Sequence, residues 1–197
     1  MISCTYPEGA EGGSVNTEVQ YLKTQQLPKF LASRYNGVKI YVRECYRQLD
    51  ETVSAGMLSN ETCHSATLFT GVPGIGKSLF LLYFIFRFLD DDRFNDKSFA
   101  VELKGDRIWY LVPVADATEF TCILRDRALA HFIPNLLLCD IYDQFEPTLR
   151  ARWTFVFSSL DPSRYKEIMK RYPKARYTMP TWSLEELVAV KAIIVYR

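Results

Sequence analysis

The sequence predicts an α/β fold, three layers thick, with a mainly parallel sheet covered by helices on both faces. Three observations predict it. Short apolar runs with strand character alternate with segments of helical spacing, the pattern of a covered parallel sheet. Residues 71–78 read Gly71-Val72-Pro73-Gly74-Ile75-Gly76-Lys77-Ser78, a complete G-x-x-x-x-G-K-[ST] pattern set between a strand-like run and a helix-like run. The chain has 197 residues, 48% of them hydrophobic, enough for the core of one such domain.

Residues 1–17, rich in Gly, Ser, Thr and Glu, are expected to form a loose tail. A short helix is expected within 18–36, before the turn signal Asn36-Gly37. The domain proper is placed at 38–197, after an N-terminal tail and short helix over 1–37. Residues 38–42 alternate like a strand, and Tyr46, Leu49 and Val53 share one face of a helix over 43–53. The strand 66–70 leads into the glycine pattern. Residues 79–89 follow as a helix apolar on nearly all sides, hence buried. Asp90-Asp91-Asp92-Arg93 opposes the helix dipole and is expected to lie past the last turn. Residues 98–103 and 107–112 read as strands joined by Lys104-Gly105-Asp106. The region 115–132 is expected to be helical in part. Strands are expected at 135–139, 154–158 and 175–179. Asp161 with Pro162 starts a helix to about residue 170. Ser183-Leu184-Glu185-Glu186 fits a capping box that opens a last helix.

Bulk properties exclude several classes. Net charge is +1, from 24 Lys+Arg against 23 Asp+Glu, a balance that gives no support to a broad nucleic-acid footprint and leaves a local patch open. Cys4, Cys45, Cys63, Cys122 and Cys139 form no C-x-x-C pair, and only His64 and His131 could join them, which argues against zinc. The start of the chain has neither a basic region nor an apolar core, so no signal peptide is read. The apolar run 79–89, about 11 residues and broken by Arg87, is too short to span a bilayer. A cytoplasmic or nuclear protein without membrane contact is expected.

The glycine pattern has a mechanism. Gly71 and Gly76 are expected to adopt backbone angles that a Cβ resists. The amides of residues 71–79, Leu79 included, can then cradle phosphate oxygens, helped by the positive end of the following helix. Lys77 would reach the β- and γ-phosphates of a nucleoside triphosphate, and Ser78 would offer its hydroxyl to Mg²⁺. ATP and Mg²⁺ are the expected ligands. Such a site needs an acid at the end of another strand, and Leu136-Leu137-Leu138-Cys139-Asp140 supplies one. Asp140 is thus a second candidate metal ligand beside Ser78.

Many hydrolysing phosphate-loop proteins carry Glu directly after that acid, to orient water; here the position is Ile141. Asp143 and Glu146 are nearby candidates to replace it. The strand over 154–157 ends in Ser158-Ser159, hydroxyls that can sense a γ-phosphate or cap the next helix. Arg171 and Arg176 are either surface cations or groups that reach a neighbouring copy's site. Lys77, Asp140, Asp143, Glu146 and Ser158 are therefore the candidate catalytic residues.

Three stretches, in order, carry a family resemblance: Tyr41-Val42-Arg43-Glu44-Cys45-Tyr46, residues 71–83 with the glycine pattern, and Tyr177-Thr178-Met179-Pro180-Thr181-Trp182-Ser183-Leu184-Glu185-Glu186-Leu187. Together with the Ser158-Ser159 strand end they resemble the NTPase domain of Crinkler effectors and retrotransposon hot spot proteins, over about residues 38–187. The resemblance implies a P-loop NTPase of the additional-strand type, related to the AAA and STAND groups. It implies a lid that this chain, ending at Arg197, would lack, and it makes Arg43 and Glu44 candidates for the adenine pocket. Slow, Mg²⁺-dependent ATP hydrolysis acting as a switch is the first expectation. A nucleotide-stabilised interaction or homo-oligomerisation module is the second, and a small-molecule kinase the third.

Overall fold

The structure, a computed structural model, describes residues 2–4, 19–23, 31, 39–59, 65–102, 108–113, 120–124, 133–141, 151–171 and 175–195. In chain order the elements begin with β1 (Ile2–Cys4), β2 (Val19–Lys23), β3 (Lys39–Tyr41) and α1 (Glu44–Leu58). β4 (Ser65–Thr70), α2 (Lys77–Asp90), β5 (Phe99–Glu102), β6 (Ile108–Pro113) and β7 (Phe120–Leu124) follow. The chain continues with β8 (Leu136–Asp140), β9 (Trp153–Phe157), α3 (Lys166–Arg171), β10 (Ala175–Thr178) and α4 (Leu184–Val195). Two compact units result: Met1–Asp50 with Trp182–Arg197, and Glu51–Thr181.

The larger unit is an α/β fold around a sheet of order β10-β4-β9-β8-β5-β6-β7. The first five strands are mutually parallel, and β6 and β7 extend them antiparallel. The inner parallel strands β4, β9, β8 and β5 are buried on both sides, as covered strands must be, whereas the edge strand β10 exposes Arg176 and Thr178. Phe69, Phe155, Phe157 and Phe99 line one face. The buried residues Phe80, Phe84 and Phe88 of α2, spaced four apart, lie along it. Ring centroids are 5.3 Å apart for Phe69–Phe80, 5.2 Å for Phe84–Phe155 and 4.7 Å for Phe88–Phe99. Each edge-to-face pair contributes about 1 kcal/mol beyond its buried area. The opposite face carries smaller side chains, Ala66, Leu68, Ala100, Leu137, Cys139, Ile141 and Val156, packed with Tyr165.

Most expected elements of this unit are present. Asp90 closes α2, while Asp91 is extended and caps a 3-10 turn at Asp92–Phe94 by accepting from the Arg93 amide. Asp161 likewise accepts from Ser163, ahead of α3. The helical expectation for 115–132 does not hold at Phe120–Leu124, which pairs antiparallel with β6. Phe-Thr-Cys-Ile-Leu is rich in aromatic and β-branched residues, and an edge partner decided its state. The rest of 114–132 lies outside the described residues, as does the expected Lys104-Gly105-Asp106 connection. Among the described residues no helix is long and apolar enough to cross a membrane.

The smaller unit departs further from expectation. Residues 2–4, expected in a tail, and 19–23, inside the segment 18–36 expected to hold a short helix, are strands, and β1-β2-β3 form an antiparallel sheet. Their partners are distant in sequence, so local composition did not betray them. Around Arg43 the unit closes a clamp across 143 residues of sequence. Arg43 is 1% exposed. Its Nε donates to Glu186 Oε1 at 3.0 Å and its Nη2 to Oε2 at 2.9 Å, a two-pronged pair. Trp182 stacks on the guanidinium at 4.4 Å. The capping box forms as expected: the Ser183 amide donates to Glu186 Oε2, and the Glu186 amide donates to Ser183 Oγ. Arg43 is therefore committed to Glu186, and exposed Glu44 accepts from Arg47 and Gln48.

Burial, the largest influence, works against ionisation of Glu186, yet the Arg43 hydrogen bonds, the Ser183 amide and the Arg43 charge together outweigh it and hold the carboxyl below its ordinary value. The stability this adds is complete above the ordinary glutamate range. It is lost as pH falls through the lower, folded value. Replacing Glu186 by Gln keeps the helix cap but leaves a buried guanidinium uncompensated. Glu186→Gln is expected to lower unfolding free energy by about 3 kcal/mol at neutral pH. Urea denaturation at pH 7 and pH 3 checks this, with a smaller gap between variant and parent at pH 3.

Candidate functional site

The site is built where β4 stops and α2 begins. Residues 71–76 reverse the chain between them. Two glycines take left-handed backbone angles, Gly74 at φ 82° and Gly76 at φ 93°. A side chain at either would be strained. Gly71 was expected to share that role but does not: among the described glycines with positive φ it is absent. Space favours Gly71 instead, since a Cβ there would run into Ile75 Cδ1 and lie 3.2 Å from Ile75 Cγ1. Ile75 is buried beneath the turn, whereas Val72, Pro73 and Gly74 form its exposed tip. Gly74 and Ile75 occupy variable positions of the pattern, so the pattern alone did not single them out.

Gly76 is the N-cap of α2 and brings no side-chain cap. The Phe80 amide donates back to the Gly76 carbonyl at 2.8 Å, closing the first turn. The amides of Lys77, Ser78 and Leu79 have no acceptor within the helix and stand at its positive end. Lys77 folds back over the loop, its Nζ donating to the Gly71 and Val72 carbonyls at 2.9 Å each. Burial pushes the Lys77 ammonium below its ordinary pKa, and the charge of Asp140 acts in the opposite sense.

Asp140 ends β8, half-buried, in register with Phe157 of β9, which is itself in register with Phe69 of β4. These three positions form one row across the carboxyl edge. β9 therefore lies between the strand that feeds the loop and the strand that carries Asp140, which puts the two backbones about 10 Å apart. The row also places Asp140 on the sheet face that α2 covers.

Ser158 follows directly on β9. Its amide donates to the Phe69 carbonyl at 3.0 Å. Its side chain is 1% exposed, and Oγ is buried without a hydrogen-bond partner. A buried orphan hydroxyl costs on the order of 1–3 kcal/mol, so this position on the carboxyl edge is costly to the fold alone. Ile141, next after Asp140, is 6% exposed and belongs to the core of the opposite face.

Of the expected residues, the structure brings Gly71, Gly74, Ile75, Gly76, Lys77, Ser78, Leu79, Asp140 and Ser158 to one edge of the sheet. Asp143 and Glu146 lie outside the described residues. Arg176 is exposed on β10 with its guanidinium 5.7 Å from the Tyr165 ring, and the side chain of Arg171 is outside the description. Met179 was missed: its amide donates to the Thr70 carbonyl at 2.8 Å, and its own carbonyl would lie 3.4 Å from a Cβ at Gly71. The end of β10 thus walls the loop. Glu102, a further acid at this edge, is in register with Cys139, hence on the face opposite to Asp140. Among the described residues no group of three His, Cys, Asp or Glu side chains could hold a metal alone. No family model matches the chain, and no curated protein matches it.

Gly71→Ala is expected to cost about 1–3 kcal/mol by overpacking. Gly71→Ala with Ile75→Val removes the Cδ1 clash and should regain most of that. Gly74→Ala, where a Cβ meets nothing within 4 Å, should cost only the left-handed strain, about 1–2 kcal/mol. Thermal unfolding of the four proteins checks the ranking.

Proposed function

We propose that the chain is an ATP-binding, Mg²⁺-dependent P-loop NTPase module that hydrolyses slowly and acts as a conformational switch, in the manner of a Crinkler-type NTPase domain. The observation that carries this reading is the convergence of three features at the end of parallel strands. These are the two left-handed glycines ahead of an uncapped helix, Lys77 laid across the loop, and Asp140 two strands away. The strand order, with β9 inserted between β4 and β8, supports the additional-strand type.

The residues fit a nucleoside triphosphate and its metal. The amides of the loop and first turn suit phosphate oxygens, and Lys77 can exchange two carbonyl acceptors for charged ones. Ser78 and Asp140 would hold Mg²⁺, which supplies neutralisation of phosphate charge. Ser158 Oγ, buried and without a partner, suits a phosphate oxygen or the attacking water. Loss of the terminal phosphate would free Ser158, giving the switch two states.

One observation favours a second reading. Ile141 is core, so the position after Asp140 offers no base to orient water. A module that binds ATP to stabilise its fold, and turns it over at no useful rate, follows from that position.

The test is ATP binding and phosphate release by the purified chain, with Lys77→Ala, Asp140→Asn and Ser158→Ala beside it. Lys77→Ala is expected to weaken binding at least tenfold. Asp140→Asn and Ser158→Ala are expected to cut turnover about 10²-fold with binding largely kept. Binding without turnover in the parent selects the second reading. Phosphate transfer that requires an added acceptor would point to a kinase, and absence of binding would remove the proposal.

A further inference from the structure

The groups that the structure brings to the carboxyl edge share one chemistry. The first turn of α2 presents amide donors at the positive end of a 14-residue helix, behind a turn bent through two left-handed glycines. Lys77 is a compact point charge laid over two loop carbonyls at 2.9 Å each. Ser158 adds a buried hydroxyl without a hydrogen-bond partner, and Asp140 a carboxylate on the neighbouring strand. Amides, an ammonium and a hydroxyl suit phosphate oxygens, and a carboxylate suits the cation that a triphosphate carries. Such contacts are the same whichever base the nucleotide bears.

A base is selected differently, by buried donors and acceptors that a wrong ring edge leaves unpaired. Arg43 and Glu44, to which the resemblance gives the adenine, are engaged in other contacts. Arg43 is 1% exposed, holds Glu186 through Nε and Nη2, and is stacked by Trp182 at 4.4 Å. Turning it to a base would break a buried charge pair, a change more costly than one base contact would return. Glu44 is exposed and accepts from Arg47 and Gln48. Water replaces any partner lost there, so an acceptor at that position selects little.

We propose that the site recognises the phosphate chain with its Mg²⁺ and is indifferent to the base, so that its ligands are Mg²⁺-bound triphosphates at large: ATP, GTP, CTP and UTP alike, and inorganic tripolyphosphate with them. The inference rests on the P-loop reading of residues 71–78 and widens its ligand from ATP to the triphosphate group.

Competition on the full chain tests it. ATP carrying a fluorophore on its ribose is the probe, with Mg²⁺ and at fixed ionic strength. ATP, GTP, CTP, UTP and inorganic tripolyphosphate displace it in turn. The four nucleotides are expected to agree in dissociation constant within about fivefold, and tripolyphosphate to lie within about tenfold of ATP. Lys77→Ala should weaken all five by one common factor of about ten or more, because a phosphate contact does not sense the base. The comparison of ligands needs only the parent chain, so it stands even if that variant folds poorly. ATP more than about tenfold tighter than the other nucleotides, or tripolyphosphate that leaves the probe in place, overturns the inference while the P-loop reading stands. Tripolyphosphate binding that a folded Lys77→Ala chain keeps in full lies elsewhere on the chain and overturns it as well. Calorimetry with unlabelled ATP and tripolyphosphate separates the remaining case: if neither binds, the P-loop reading and the inference fail together.

Discussion

The reversal of the chain at residues 71–76 is the constraint on which the larger unit depends. It is short, and it must turn a buried strand into a buried helix without letting either leave the sheet. Two left-handed glycines supply the angles, and Gly71 supplies the room that Ile75 fills. Once the turn is made, Phe80 is set over Phe69 and Phe157, and the four-residue spacing carries Phe84 and Phe88 along the same face. The same geometry that packs α2 aims its uncapped end at the carboxyl edge. Packing and site are consequences of one turn, so a change that relaxes the turn would disturb both.

How much of this was legible depended on how local the cause was. The glycine pattern, the strand before it and the apolar helix after it are set within about 25 residues. Caps at Asp161 and Ser183 were legible for the same reason, each being a contact between near neighbours. Strands β1, β2 and β7 were not, because short strands take their state from partners elsewhere. Gly71 was assigned an angle when its role is space, a distinction that only the position of Ile75 reveals. Ser158 stood open between two readings on sequence. Its buried, unpartnered Oγ favours a role at the carboxyl edge over a capping role, since the cap of the following turn is Asp161.

The clamp in the smaller unit changes what the family resemblance rests on. Its specific part was the combination of the glycine pattern with Met-Pro-x-Trp-Ser-x-Glu-Glu-Leu; the upstream stretch Tyr-Val-Arg-Glu-Cys-Tyr has no evident chemistry in common with the latter. In the structure Arg43 of the upstream stretch is held by Glu186 and Trp182 of the downstream one. A buried guanidinium is costly unless a carboxylate takes both its prongs, so either segment without the other would be unstable. Co-occurrence of the two in one chain therefore has a folding cause, and it speaks to architecture. The proposal of nucleotide chemistry has to stand on the loop, Lys77, Asp140 and Ser158 alone.

Those four bear unequally on binding and on turnover. Nucleotide binding as proposed would need amides, a cation and a metal acid, and the loop, Lys77 and Asp140 would be the groups to supply them. Turnover also needs a group that fixes water in line, and the position next to Asp140 is closed to it: Ile141 donates its amide to the Phe157 carbonyl and buries its side chain on the far face of the sheet. Putting a carboxylate there would cost core packing, so the fold has traded that position for stability. Ser158 remains as a neutral hydroxyl at this edge, and a hydroxyl can orient water but is a poor acceptor of its proton. On the proposed reading, a site built this way would hold a triphosphate far longer than an efficient hydrolase would, which is the property a switch requires.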